Sequence, residues 1–211
     1  MEQIRRRILA IGAHPDDLEL GCGGTLAKMN SAGFGLSGLI LTRGERGGDI
    51  AIRTSQSRQA ADFLGLSQLK ILEFTDTRLV KQELEVFQAI EDFICDFKPD
   101  VVLTHSEFDL HQDHVAVHKA TLRAARNIST VLCYESPYVT QKFNPTLFIQ
   151  VEDYIGIKFR SVWEHRDQSH KPYTDAEQIY AKLVFRGSQA RVNYAEGFEV
   201  VRILSSDLGG I

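Results

Sequence analysis

Apolar residues fall into two kinds of run that alternate along the chain. Short continuous runs rich in Ile, Leu and Val occur at Ile8–Ile11, Leu36–Thr42, Lys70–Phe74, Val101–Thr104 and Thr130–Tyr134. Unbroken apolar stretches of four to eight residues suit strands buried on both faces. Longer segments of helical period lie between them. Asp17–Ala32 carries Leu18, Leu20, Leu26, Ala27 and Met29 on one side, Arg53–Leu64 stops at Gly65, Glu83–Phe97 closes at Lys98-Pro99, and His114–Asn127 is the fourth. Gly just past a helix and Pro shortly beyond one are stop signals. The alternation predicts a three-layer α/β fold, a mostly parallel sheet in the order 3-2-1-4-5 with helices on both faces.

After about Pro137 the rhythm changes. Thr146–Val151 and Phe198–Leu204 read as further strands, Tyr154–Asp167 and Asp175–Phe185 as helices. The expectation is one domain over residues 1–211, with a core of about 1–136 and a C-terminal extension of about 137–211, and no second core.

Composition narrows the class. The chain is 43% hydrophobic and 25% charged with a formal net charge of −4, which suits an ordinary globule and argues against a general nucleic-acid or anionic-membrane binder. The Arg5-Arg6-Arg7 run, followed at once by an apolar strand, reads as a solvated strand entry. Cys22, Cys95 and Cys133 are odd in number and far apart, with no Cys-x-x-Cys spacing, so reduced thiols in a cytoplasmic setting are expected. No secretion signal is read at the N-terminus, and no window approaches the roughly 20 apolar residues of a membrane span.

Candidate chemistry sits after the first and fourth strands. His14-Pro15-Asp16-Asp17 follows the first, and "HSEFDLHQDH", His105 to His114, follows the fourth. In a sheet ordered 3-2-1-4-5 these strands are neighbours at the switch point, where ligands bind beyond the carboxyl ends. Proline and aspartates at a helix start have a plainer use as initiation signals. That use leaves His14, His111 and His114 unaccounted for. His14 and Asp17 are three apart at a helix start, so one turn can bring both to a point that His114 completes. Two imidazoles and a carboxylate with a vacant position suit catalytic zinc, and iron(II) also accepts such a set. Asp16 lies about 100° round the helix from Asp17, which directs it away from the same ion and towards the proton of an activated water. His111 is placed to act across the site as a proton or hydrogen-bond donor. Asp109 and Asp113 read equally as carboxylates that orient imidazoles or as capping and surface charge. His105 could be structural, His118 reads as an exposed or capping histidine, and His165 or His170 could line the pocket. "GCGGT" (Gly21–Thr25) most simply lets a helix pack closely on the sheet. In "RGERGG" (Arg43–Gly48), Arg43 or Arg46 meets an anionic substrate group or the loop is a plain turn. No Gly-x-Ser-x-Gly elbow or Walker-type loop is present, and Leu26 breaks a Gly-x-Gly-x-x-Gly pattern.

Taken together, "AHPDD" (Ala13–Asp17), "GCGGT", "LTRGERG" (Leu41–Gly47), "HQDH" (His111–His114) and "YAEGF" (Tyr194–Phe198) resemble the LmbE-like, or PIG-L, family of metal-dependent de-N-acetylases. The resemblance implies a Rossmann-like fold and a zinc-type ion on His14, Asp17 and His114. It further implies Asp16 as general base and later acid, and His111 at the oxyanion or leaving amine. Arg53 matches a family arginine thought to meet substrate, but the family's Arg-x-x-Glu has Gln56 as its fourth residue here. Implied substrates are small N-acetylglucosaminyl conjugates, of phosphatidylinositol, inositol, malate, glycopeptide antibiotics or chito-oligosaccharides, and family habit admits a homo-oligomer. Two other readings stay open: a metal-dependent hydrolase of another amide or ester, and a non-catalytic metal-binding module.

Overall fold

The computed structural model describes residues 6–208, so Arg5 of the arginine run lies outside the described residues. Arg7 is exposed and opens the first strand, its backbone N–H donating to Asp100 Oδ2 at 2.7 Å. Five strands, β1 (Arg7–Gly12), β2 (Gly35–Thr42), β3 (Gln68–Phe74), β4 (Val101–Thr104) and β5 (Thr130–Tyr134), pair in parallel as β3-β2-β1-β4-β5. Alternate side chains enter opposite cores. Ile8 and Ala10 join Leu18, Leu26 and Leu64, while Leu9 and Ile11 join Val86, Ile90 and Val117. Burial on both faces is the physical reason β1, β2, β4 and β5 read as apolar runs, whereas β3, at the sheet edge, is only partly buried and carries Lys70 and Glu73 among its apolar residues.

Helices α1 (Asp17–Ser31) and α2 (Ile50–Leu64) cover the first core, α3 (Glu83–Phe97) and α4 (Gln112–Ala124) the second. Two of them start earlier than the apolar period suggests. Asp49 caps α2 by accepting from Ile52 N at 3.0 Å, and the His111 ring caps α4 by accepting from Asp113 N at 3.2 Å. Packing of α1 on the sheet depends on a small residue. A Cβ at Gly21 would stand 2.2 Å from Cδ2 of Tyr134, whose hydroxyl donates to Ile11 O at 2.9 Å.

The extension adds β6 (Leu147–Gln150), α5 (Ile155–Glu164), α6 (Ala176–Ala190) and β7 (Ala195–Arg202). β7 pairs antiparallel with β5, and β6 with β7, giving one sheet ordered β3-β2-β1-β4-β5-β7-β6. Phe159 and Val162 of α5 and Ile179 and Leu183 of α6 join the Leu18 core. β7 begins three residues before its expected start because Glu196, a polar residue in an unpromising place, is buried on Lys158 at 2.7 Å. No helix among the described residues is long and apolar enough to cross a membrane.

Candidate metal and catalytic site

β1 and β4 are hydrogen-bonded neighbours, Ile8 level with Val101, so the loops leaving their carboxyl ends meet. The first loop folds around Asp17, whose Oδ2 accepts from the backbone N–H of Ala13 at 2.9 Å and of His14 at 2.7 Å. Its other oxygen, Oδ1, lies 3.3 Å from His114 Nε2, and His14 Nδ1 lies 3.5 Å from Oδ2. Two donors sharing a tetrahedral zinc at about 2.0 Å stand roughly 3.3 Å apart. Among the described residues, three sets of donor atoms each lie within 4.8 Å of one another: His14, His111 and His114; Asp17, His105 and His114; and His14, Asp76 and Asp113. His114 links the first two sets, so His14 and Asp17 meet through it and not as one compact trio with it. Donor chemistry and spacing fit a divalent cation.

Asp16 departs from the initiation role. Its backbone is left-handed (φ 95°), a conformation that costs a non-glycine residue free energy, and its side chain makes no capping hydrogen bond. Oδ2 is buried without a hydrogen-bond partner and borders the pocket. Burial pushes this carboxyl up to about 6, although Arg53 beside it pulls the other way. An acceptor left open, with a pKa near neutrality, suits proton transfer.

A surrounding layer fixes the rings. Asp109 Oδ2 stands 2.9 Å from His114 Nδ1 and also accepts from Ser136 Oγ, while Oδ1 accepts from His111 N at 2.8 Å. Asp113 accepts from Thr77 N at 2.7 Å and Leu79 N at 3.2 Å, and its Oδ2 is 3.4 Å from His14 Nε2. Carboxylates on the far ring nitrogens set tautomer and orientation. Burial lowers the pKa of the His114 ring, but the carboxylates of Asp17 and Asp109 outweigh it and raise the ring to about 9. His105 stacks on His114 with ring centroids 3.9 Å apart and reaches Asp17 Oδ2 at 3.1 Å. Burial and the neighbouring His114 push His105 down to about 4, so it is neutral.

His111 is half-buried at the pocket, its ring centroid 4.7 Å from that of His14. Because Nδ1 accepts from Asp113 N, the neutral ring carries its proton on Nε2. Burial and the neighbouring His14 and His114 rings hold its pKa below the usual value.

The remaining candidates separate. Arg53 is 4% exposed, donates from Nη2 to Pro15 O at 2.8 Å and stands 3.7 Å from Asp16 Oδ1. Arg43 turns to Glu73 at 3.1 Å and does not line the pocket, whereas Arg46 does. His118, expected at the surface or as a cap, is instead buried and donates from Nδ1 to His105 O at 2.9 Å, His165 is buried 3.3 Å from Glu19, and His170 is exposed. Sequence reasoning missed Asp76, whose Oδ1 is 3.0 Å from His14 Nε2. It follows the carboxyl end of β3, and position after a parallel strand was the available signal. It also missed Gln168, Lys171 and Tyr173, which the extension adds to a pocket of about 700 Å³.

Residues 9–125 match the PIG-L family model, GlcNAc-PI de-N-acetylase. The uncharacterized deacetylase YaiS of Escherichia coli (strain K12) is 41% identical over 169 residues, covering 77% of this chain and 91% of the relative. Diacetylchitobiose deacetylase of Thermococcus kodakarensis is 25% identical over 223 residues, covering 93% and 83%. Among solved structures, the conserved protein TT1542 from Thermus thermophilus superposes with a TM-score of 0.82 at 28% identity, covering 93% of this chain and 95% of that one. With the motif-bearing half of its length matched by that model, the chain belongs to the PIG-L family.

Proposed function

We propose that this protein is a metal-dependent hydrolase that removes the acetyl group of a small N-acetylglucosamine-type conjugate and releases acetate. The observation that carries the reading is the open, buried Oδ2 of Asp16 beside Asp17, whose oxygens stand 3.5 Å from a ring nitrogen of His14 and 3.3 Å from one of His114. A binding module has no use for that spare carboxylate. Relatives named as deacetylases, one of them for diacetylchitobiose, support an N-acetylated amino sugar as substrate.

His14, Asp17 and His114 would hold the cation, Zn²⁺ or Fe²⁺. A divalent cation there would polarise the amide carbonyl and acidify water. Asp16 removes a proton of the attacking water and returns it to the departing amine, so that amide and water become amine and acetic acid, whose own proton passes to the amine to leave ammonium and acetate. His111, neutral with Nε2–H, steadies the negative charge that develops on the carbonyl oxygen. Residues 1–211 are read as one catalytic unit whose extension closes the pocket. Free thiols at Cys22, Cys95 and Cys133 support a reducing, cytoplasmic setting.

The test is acetate release from N-acetylglucosaminides of varied aglycone, with Zn²⁺ or Fe²⁺ and then with chelator, beside a panel of other amides and esters. Acetate release that chelator abolishes is expected. Turnover confined to the other acyl compounds would move the assignment to them, and metal binding with no turnover would leave the binding module.

A further inference from the structure

A second cavity of about 620 Å³ adjoins the catalytic pocket and shares Leu20, Pro137 and Tyr173 with it. Three cations from the extension border it, and two are paired with buried carboxylates. Arg186 is forked onto Glu135, Nε to Oε2 at 2.7 Å and Nη2 to Oε1 at 2.9 Å. Lys158 Nζ donates to Glu196 Oε1 at 2.7 Å and to the carbonyls of Glu19 and Leu20 at 3.0 and 2.9 Å, which uses all three of its protons.

Lys182 differs. Among the described residues its Nζ donates only to Ser136 O, at 3.3 Å, and no carboxylate comes within ion-pair distance. Two N–H donors of a half-buried ammonium therefore remain for whatever enters the cavity. Burial lowers its pKa even though Glu135 opposes the shift, the mark of a cation poorly compensated by its own protein. Leu20, Ile179 and Leu183 give the same cavity an apolar wall.

We propose that Lys182 is a specificity-determining residue that receives an anionic group, carboxylate or phosphate, on the aglycone of a substrate whose acetamide lies in the adjoining pocket. This rests on the hydrolase reading above. The extension thereby gains a role in catalysis, because α6 carries the residue that selects the conjugate. A desolvated ammonium meeting an anion makes the stronger, charge-assisted kind of hydrogen bond, worth about tenfold or more in affinity.

The experiment compares 4-carboxyphenyl and 4-phosphonophenyl N-acetylglucosaminides with the neutral, near-isosteric 4-carbamoylphenyl compound, in both anomers. For the wild type, kcat/KM for at least one anionic compound is expected to exceed the neutral one about tenfold, mainly through KM. Which anionic arm responds separates carboxylate from phosphate. Lys182→Met, which keeps the apolar stem, should bring the ratio to about one, and Lys182→Arg should retain a preference. Equal rates on all three compounds overturn the inference and leave the hydrolase reading standing. Acetate from none of them counts against the hydrolase reading, and calorimetry then decides the subsite: wild type should bind the anionic glycosides about tenfold more tightly than the neutral one, and equal dissociation constants end it. Should Lys182→Met fail to melt cooperatively, the wild-type ratios alone decide.

Discussion

The guanidinium of Arg53 stands 3.7 Å from Asp16 Oδ1 with both side chains buried, so the cation acts on the carboxylate with little screening by water. Arg53 has room there because of the loop above it. A Cβ at Gly47 would lie 2.3 Å from its Nη1, and one at Gly44, where φ is 66°, would lie 2.5 Å from its Nε. Arg53 opposes the burial that raises Asp16 to about 6. Removing the cation takes away the strongest influence opposing burial, and the base then stays protonated to higher pH. Arg53→Gln should therefore move the acid limb of the kcat/KM profile upward by about a unit. An unmoved limb would show that Arg53 does not set the charge of Asp16.

Asp16→Asn separates base chemistry from folding, since asparagine accepts a left-handed backbone almost as readily as aspartate. Turnover should fall by about 10²- to 10⁴-fold while bound metal, measured by elemental analysis, is retained. Stability should move the other way. Folding raises the Asp16 pKa from 3.8 to about 6, so ionising it destabilises the fold, an effect absent below about pH 4 and complete above about pH 6. In chelator, Asp16→Asn should then melt above wild type near neutrality, by about 1–3 kcal/mol, with the gap closing in acid. A variant that turns over like wild type would remove Asp16 from the mechanism.

Strand order and the meeting of the His14 and His114 loops were legible because two-sided burial writes unbroken apolar runs, and a 3-2-1-4-5 order leaves β1 and β4 adjacent. What escaped the sequence depends on three-dimensional reach. Asp76 lies in a loop with no histidine to draw notice, yet comes within 3.0 Å of His14 Nε2. Arg43 stands in the right loop but points outward to Glu73. His111 caps α4 with a ring nitrogen, a use outside the Ser, Thr, Asp and Asn signals of a helix start. Glu196 and Lys158 are charges buried on each other, which no hydropathy pattern marks.

Metal affinity should depend steeply on pH. In the chain without a cation, Asp17 and Asp109 raise His114 to about 9 against the effect of burial. The stabilisation that its proton gives the metal-free fold is complete below the ordinary histidine pKa and is lost as pH rises through about 9. Burial opposes the same shift at His14, where Asp113, Asp17 and Asp76 outweigh it and raise the ring as well. A cation must displace both protons, so Zn²⁺ affinity measured by chelator competition should climb more than about tenfold per pH unit between about 7 and 9. Asp109→Asn removes the carboxylate on Nδ1. It should weaken affinity about 10- to 100-fold at the alkaline end and flatten the slope. Affinity independent of pH would argue that His114 is not a ligand.

Gly21 ties the helix that starts at Asp17 to the ring that backs the site. Tyr134 is fully buried on β5, donates to Ile11 O, and packs its ring 4.9 Å from His105, which in turn contacts Asp17. Gly21→Ala places a methyl carbon 2.2 Å from Tyr134 Cδ2, a distance only movement of the ring or of α1 can relieve. Overpacking of this kind costs about 1–3 kcal/mol, or a fall in Tm of several degrees for a chain of this length. The displaced ring should disturb His105 and Asp17 as well, so metal affinity should fall together with Tm. Tyr134→Leu opens space and loses a hydrogen bond, and is destabilising by itself. Combined with Gly21→Ala, it should cost less than the sum of the two, because the methyl then has somewhere to go. Strict additivity in that thermal-melting cycle, or a Gly21→Ala protein that melts with wild type, would mean that α1 does not need the close approach.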